Sequence, residues 1–129
     1  MKGKGYIMIE RKKQRTANVA FFSVVHEVYF EQFEGLKESL AGYHNETIKL
    51  IEKNEVNVKD YGIIGSNSKA FDVASEINGD KIDIIVCNMI TYATSSVFAP
   101  ILQSTNKPII LLALQPLEHL DYSKANTFM

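Results

Sequence analysis

The sequence predicts an α/β fold, a three-layer αβα sandwich around a four-stranded parallel sheet with the flavodoxin-like or Rossmann-like strand order 2-1-3-4. Two observations lead to this prediction. Short apolar runs rich in β-branched residues lack the alternation of a half-exposed strand, as is typical of strands buried on both faces. Longer amphipathic stretches separate these runs, which is the pattern of βαβ units with right-handed crossovers.

The first strand is predicted at residues 19–25, and a long helix follows it from Phe33 to about Asn54. The helix prediction rests on apolar or small residues at three- and four-residue spacing, with charged residues between them. Its predicted apolar stripe consists of Phe33, Leu36, Leu40, Tyr43, Thr47, Leu50 and Ile51. His44, next to Tyr43, is interpreted as a surface or half-buried residue.

Three more strands and two more helices complete the predicted sandwich. The strands lie at residues 56–64, 82–87 and 108–114, and Cys87 is predicted to be a small core residue, not a nucleophile. The second helix carries an apolar stripe and begins at a cap; the candidate caps are Ser66, Asn67 and Ser68. The third helix, residues 96–105, contains Pro100 about one turn in, so it either starts late or is kinked there. A last helical turn is predicted at residues 117–122.

The chain is predicted to form one domain, residues 18–129, preceded by a basic flexible leader, residues 1–17. Residues 1–18 hold six lysines and arginines against one glutamate, whereas the whole chain of 129 residues has a net charge of −1. Because the body offers no basic face, the leader is interpreted as solvated and not as a nucleic-acid-binding arm. No apolar run suits a membrane span or a secretory signal, and a single cysteine fits a reducing compartment. The predicted location is the cytoplasm.

The carboxyl ends of the strands are the predicted ligand-binding edge, because ligands of open α/β sheets bind there, where the strand order reverses. The loops at this edge are polar and carry aromatic or imidazole side chains that suit a small polar ligand. The candidate substrate-binding residues are His26, Tyr29 and Gln32 after the first strand, Thr91, Tyr92 and Ser95 after the third, and Gln115 after the fourth. Two simpler interpretations stay open: Tyr29 as a core-filling aromatic, and the hydroxyls near Ser95 as helix caps.

Motifs for several chemistries are missing from the sequence. The loop after the first strand lacks the G-x-G-x-x-G of dinucleotide binding, and no Walker A sequence is present. No metal-ligand spacing and no residues of a catalytic triad stand out either. Taken by themselves, the residues therefore predict a binding edge and identify no reaction centre.

The predicted edge contains stretches whose order and spacing match a known family: residues 22–29 (FSVVHEVY), 32–36 (QFEGL), 42–44 (GYH), 90–96 (ITYATSS), 107–108 (KP) and 114–116 (LQP). They resemble the opening of the L-arabinose isomerase and L-fucose isomerase-like proteins, over a region from about Val19 to Tyr122. His26 stands where arabinose isomerases proper tend to carry glutamine, whereas Tyr29 matches the family. This departure favours the isomerase-like relatives over L-arabinose isomerase itself.

The resemblance implies that the chain is the N-terminal domain of a longer aldose–ketose isomerase and is catalytically incomplete alone. It implies a small sugar substrate and packing against other domains or subunits of a trimeric or hexameric homo-oligomer, with no nucleic acid or membrane as partner. Manganese or another divalent metal would be held by Glu and His residues of later domains, so no cofactor is expected in this chain. None of those motifs matches a position of this sequence.

Two other classes of function stay open. One is a free-standing ligand-binding or receiver-like module without catalysis, although Val24-Val25 and Cys87-Asn88 replace the acids that a receiver domain needs. The other is an assembly module, which predicts an apolar patch that is left uncovered in the isolated chain.

Overall fold

The predicted strands form one parallel sheet in the computed structural model, which describes residues 16–114. The strands are β1 (Asn18–Val24), β2 (Asn57–Ile64), β3 (Ile84–Met89) and β4 (Ile109–Leu112). Their order is β2-β1-β3-β4, and every neighbouring pair is parallel. The predicted fold class and strand order are therefore confirmed. β1 and β3 lie in the middle of the sheet and are mostly buried, because helices cover both faces.

Helices connect these strands: α1 (Tyr29–Gln32), α2 (Leu36–Glu52), α3 (Asn67–Gly79) and α4 (Ala99–Gln103), with a 3₁₀ turn at Ser95–Val97. The predicted helix start at Phe33 was wrong. Gly35 has a φ of +77°, a left-handed conformation that suits glycine, and it turns the chain between α1 and α2. Ser66 is the cap of α3 and accepts a hydrogen bond from Lys69 N. Pro100 lies in the first turn of α4, so this helix starts late.

The sheet face under α3 and α4 is filled by apolar side chains, apart from the hydroxyl of Tyr61. Alternate residues of β1 and β3 point to this face, and they include the fully buried Phe22 and Ile85. The predicted stripe of the second helix packs on them: Ala70, Val73, Ala74 and Ile77. Cys87 is fully buried in the same cluster, which confirms its prediction as a core residue.

The sheet face under α2 combines a smaller apolar cluster around Phe21 and Val86 with buried polar residues. The interpretation of His44 as a surface or half-buried residue was wrong, since His44 is only 3% exposed. The predicted stripe was also wrong at Tyr43 and Leu50, which are 42% and 56% exposed. The physical reason is that both ring nitrogens of His44 find hydrogen-bond partners on the sheet, so the imidazole turns inward.

β2 contains a bulge opposite the middle of β1. The register shifts between Phe21, which pairs with Asp60, and Ser23, which pairs with Ile63. Gly62, within the bulge, has a φ of +88°, and its N–H donates to Asp60 Oδ1 at 2.8 Å. Bulges bend a strand and redirect its side chains, and this one holds the Asp60 carboxylate against its own backbone.

Three predictions lie partly or wholly outside the described residues: the leader at residues 1–17, Gln115, and the helical turn at residues 117–122. Within residues 16–114, no helix combines the length and the apolar character needed to cross a membrane.

Candidate functional site

The candidate site lies where the chain leaves the two central strands. The strand order reverses between β1 and β3, and this is the point at which open α/β sheets bind ligands. The backbone N–H of His26, just after β1, donates to Thr91 Oγ1, just after β3, at 3.0 Å. Thr91 Oγ1 donates in turn to the Tyr92 carbonyl at 2.8 Å. Since Thr91 is buried, these bonds fix the two loops against each other.

An aromatic cluster of His26, Tyr29, Phe33 and Tyr92 covers this junction. The His26 ring centroid lies 4.9 Å from that of Tyr29 and 5.9 Å from that of Tyr92, with interplanar angles of 86° and 89°. Tyr29 meets Phe33 edge-on at 6.2 Å. Such edge-to-face contacts are the favourable arrangement for aromatic rings, so they hold the cluster in place. Tyr92 is 63% exposed, which leaves its ring accessible to a ligand.

Four of the predicted site residues therefore come together: His26, Tyr29, Thr91 and Tyr92. The described aromatic cluster does not include Gln32, which is exposed at the end of α1, or Ser95, which is exposed at the start of the 3₁₀ turn. Gln115 lies outside the described residues.

The hydroxyl-rich loop before α4 differs from its simpler interpretation as a set of helix caps. Thr94 precedes the 3₁₀ turn but makes no side-chain cap. Its Oγ1 instead lies 2.8 Å from Ser96 Oγ, and Asn67 Nδ2 donates to the Ser96 carbonyl at 2.9 Å. These bonds connect the loop to α3, so its hydroxyls support the loop structure.

Gly65, at the end of β2, closely approaches the loop that carries the aromatic cluster. A Cβ at this position would lie 2.8 Å from Glu27 Cβ and 3.3 Å from Val25 Cγ2. The Val25 N–H also donates to the Ile64 carbonyl at 3.0 Å. Glycine is therefore required here by the space available, and the loop after β1 rests directly on the backbone of β2.

Beneath the aromatic cluster, four side chains form a buried polar network: Ser23 on β1, His44 on α2, Asp60 on β2 and Asn88 on β3. Ser23 Oγ lies 2.5 Å from His44 Nδ1, and His44 Nε2 lies 2.7 Å from Asp60 Oδ1. Asn88 Nδ2 donates to Ser23 Oγ at 3.2 Å. Ser23 and Asn88 are fully buried, whereas the Asp60 side chain is 45% exposed. The network therefore runs from the surface to the middle of the sheet.

Sequence reasoning missed this network, although a signal for it was present. Ser23 is the one polar residue in the run at residues 19–25, and Asn88 directly follows the run that ends at Cys87. The third strand was predicted to end at Cys87, whereas β3 continues to Met89 and includes Asn88. A polar residue inside a buried strand must have partners, so each of these positions called for a search for them.

The residues of the described region limit the chemistry that this edge can perform. Among residues 16–114, no group of three or more His, Cys, Asp or Glu side chains is placed to hold a metal ion. These residues therefore do not fit a metal centre. Burial raises the pKa of the Cys87 thiol to about 12, so it stays protonated and unreactive near neutral pH. Ser23, fully buried beside His44, has no access to a substrate.

A polar cluster at the opposite, amino-terminal edge joins β2 to the end of α3. Asp80 Oδ2 accepts hydrogen bonds from Lys59 Nζ at 2.6 Å and from the Tyr61 hydroxyl at 2.5 Å. These bonds, that of Lys59 foremost, hold the pKa of Asp80 below its usual value. The pKa of Tyr61 is raised, mainly by burial and then by its bond to the Asp80 carboxylate. Lys59 and Tyr61 both pair with Asp80, and these pairings explain the cluster.

Fold and site together define a class: an α/β domain with a parallel sheet and an aromatic-lined polar edge at its switch point. No protein-family model matches the chain, and no curated protein matches it.

Proposed function

We propose that this chain is the N-terminal, sugar-contacting and subunit-packing domain of an aldose–ketose isomerase similar to L-arabinose and L-fucose isomerases. The observation that carries the proposal is the convergence of His26, Tyr29 and Tyr92 over the strand switch point. These residues lie in the stretches that resemble the isomerase family, and they come from two segments of the chain, one after β1 and one after β3.

The chemistry of the aromatic cluster suits a sugar. A sugar presents an apolar C–H face, which packs on an aromatic ring, and a rim of hydroxyls, which donate and accept hydrogen bonds. Tyr92 offers an exposed ring and a phenolic hydroxyl, and the partly exposed His26 offers imidazole nitrogens. A site of this composition binds a neutral polyol without any charged group.

The remaining catalytic parts are assigned to other domains or subunits of the complete protein. Moving a proton between neighbouring carbons requires a positioned acid and base, and the isomerase family adds a divalent metal such as manganese. Because residues 16–114 hold no side-chain group suited to a metal, the chain is proposed to contribute sugar contact and packing within a trimer or hexamer. Its proposed location is the cytoplasm.

The exposed apolar edge strand supports a second candidate, a free-standing module that binds small ligands or drives oligomerisation without catalysis. Ile109, Ile110 and Leu111 of β4 are 37%, 44% and 56% exposed. β4 lies at the edge of the sheet, where unpaired backbone groups and apolar side chains favour contact with another chain. Packing of this kind is common to both candidates, so binding of an aldose or ketose at the aromatic cluster is the property that favours the first.

The proposal is tested by titrating the ¹⁵N-labelled chain with L-arabinose and L-fucose at millimolar concentrations and following amide shifts by NMR. Shifts are expected at residues 26–33 and 90–93. Tyr92→Ala should weaken binding roughly five-fold, the effect of losing a contact worth about 1 kcal/mol. The matched control is Tyr43→Ala, which removes an exposed tyrosine on α2 outside the described aromatic cluster and should leave binding unchanged.

An enzyme assay completes the test. With manganese added, the purified chain is expected to form no ketose above the metal-only blank, because the acid, base and metal ligands of the reaction are proposed to lie in other domains. Sugar-induced shifts that are absent, or that survive Tyr92→Ala unchanged, contradict the sugar-contacting role and favour the second candidate. Turnover by the chain alone contradicts the incomplete-domain proposal.

A further inference from the structure

The buried polar network has a defined hydrogen-bond direction, which starts at Asp60. Its Oδ1 lies 2.7 Å from His44 Nε2 and also accepts from the Gly62 N–H. An ionised carboxylate only accepts hydrogen bonds, so His44 must carry a proton on Nε2. In a neutral imidazole, the other nitrogen, Nδ1, is then an acceptor.

The direction continues through Ser23 to Asn88. Because Nδ1 accepts, the Ser23 hydroxyl donates to it at 2.5 Å, and Ser23 Oγ in turn accepts from Asn88 Nδ2 at 3.2 Å. Each of these donors has an acceptor. Asn88 Oδ1 is the exception: it is buried, and the described part of the chain offers it no hydrogen-bond partner. An unpartnered buried carbonyl normally costs about 1–3 kcal/mol, so it calls for an explanation.

A second proton on His44 reverses the direction of the hydrogen bond between His44 and Ser23. Nδ1 then becomes a donor and points its N–H at the Ser23 oxygen, so the Ser23 hydroxyl proton loses its acceptor. Ser23 is fully buried, and water cannot supply a replacement. If the Asn88 side-chain amide flips, Oδ1 takes the place of Nδ2 beside Ser23 and accepts a hydrogen bond from the Ser23 hydroxyl. One amide atom of Asn88 lacks a partner in each arrangement: Oδ1 before the change and Nδ2 after it.

The surroundings of His44 are compatible with a charged ring. β1 contributes the Phe21 ring at 5.0 Å and Ser23, neither of which titrates in the physiological range, and β3 contributes the uncharged Asn88 through Ser23. β2 contributes the Asp60 carboxylate, which compensates a positive ring directly. The charged residues nearby on α2 and α1 are exposed: Lys37, Glu38, Glu46, Lys49 and Glu31.

We propose that His44 is a proton-binding switch: its protonation reverses the hydrogen bond to Ser23 and flips the Asn88 side-chain amide. Asp60 keeps its hydrogen bond from Nε2 and compensates the added charge, and the change ends near the carboxyl ends of β1 and β3. The proposal stands independently of sugar binding.

The test follows the ring nitrogens of His44 and the side-chain amide of Asn88 by ¹H–¹⁵N NMR during an acid titration. A variant with His26→Asn and His119→Asn leaves His44 as the remaining histidine and assigns its signals. At neutral pH we expect Nε2 to carry the proton and Nδ1 to be bare. On acidification, Nδ1 should gain a proton, and the Asn88 amide signals should shift with the same midpoint.

Two controls separate the switch from general acid effects. In the wild-type chain, protonation of the partly exposed His26 should leave the Asn88 amide unchanged. In Ser23→Ala, the Asn88 amide should no longer follow His44. The proposal is overturned by a neutral ring protonated on Nδ1, by Asn88 signals that do not follow His44, or by unfolding that coincides with protonation of His44.

Discussion

The two faces of the sheet are held together by different kinds of interaction, and the adjacent residues Phe21 and Phe22 show the contrast. Both are fully buried, but Phe22 packs into the apolar cluster under α3 and α4, whereas Phe21 packs under α2 against the ring of His44. Apolar packing is non-directional and tolerates small adjustments, while a buried polar network requires a partner for each group in one specific geometry. The α3/α4 face therefore provides most of the stability, and the α2 face fixes the relative placement of β1, β2 and β3.

The largest expected effect comes from truncating the two phenylalanines. Phe22→Ala should lower the free energy of unfolding by about 3–5 kcal/mol, the usual cost of removing a buried aromatic side chain. Phe21→Ala should cost about 1 kcal/mol less, because water can enter a cavity that borders polar groups. Urea denaturation followed by circular dichroism measures both values. An equal or larger loss for Phe21→Ala would contradict the proposed division between the faces.

A smaller effect is expected from placing a hydroxyl on the apolar face. Cys87→Ser buries a polar group among residues such as Phe22 and Ile85, and we expect a loss of about 1–3 kcal/mol. Cys87→Ala is the matched control, since it shortens the side chain without adding a polar atom, and it should cost less. If the serine variant equals or exceeds the alanine variant in stability, the α3/α4 face accommodates polar groups and the contrast fails.

The smallest effect is expected at the surface cluster of Lys59, Tyr61 and Asp80, which differs from the buried network in its access to water. The lowered pKa of folded Asp80 means that its ionised form stabilises the fold above the usual aspartate pKa, and that this contribution is lost as the pH falls through the folded value. Asp80→Asn should therefore be slightly less stable than the wild type near pH 7, with the difference vanishing in acid.

Added salt provides the control for this prediction. Lys59 is largely exposed, so screening by salt should reduce the difference between Asp80→Asn and the wild type. Melting temperatures measured from pH 3 to pH 7 at low and high salt decide the outcome. A gap that widens toward acid would show that the carboxylate does not act through its ionised form.

The fold could be predicted from the sequence because strand and helix signals are local. Apolar runs and amphipathic spacing gave the fold class and the strand order β2-β1-β3-β4. The errors lie where a single residue overrides the pattern. Gly35 divides the first helical region through its left-handed backbone, and His44 turns inward because its partners lie on strands distant in sequence.

The candidate site was predictable only in part. The rule that ligands bind at the strand switch point brought His26, Tyr29, Thr91 and Tyr92 to one place, and the structure places them together. The buried polar network could not be predicted in the same way, because its members come from four elements and no spacing in the sequence relates them. Only Ser23 within one apolar run and Asn88 directly after another pointed to it.

The contact between Gly65 and Glu27 has a consequence for how the domain could diverge. Any residue larger than glycine at position 65 must displace the segment next to His26, because its Cβ would lie 2.8 Å from that of Glu27. A single substitution directly after β2 would thus reshape the aromatic cluster while leaving each of its side chains unchanged. Relatives that keep His26, Tyr29 and Tyr92 but carry another residue at position 65 are expected to differ in ligand preference, and a comparison restricted to ligand-contacting positions would overlook the cause.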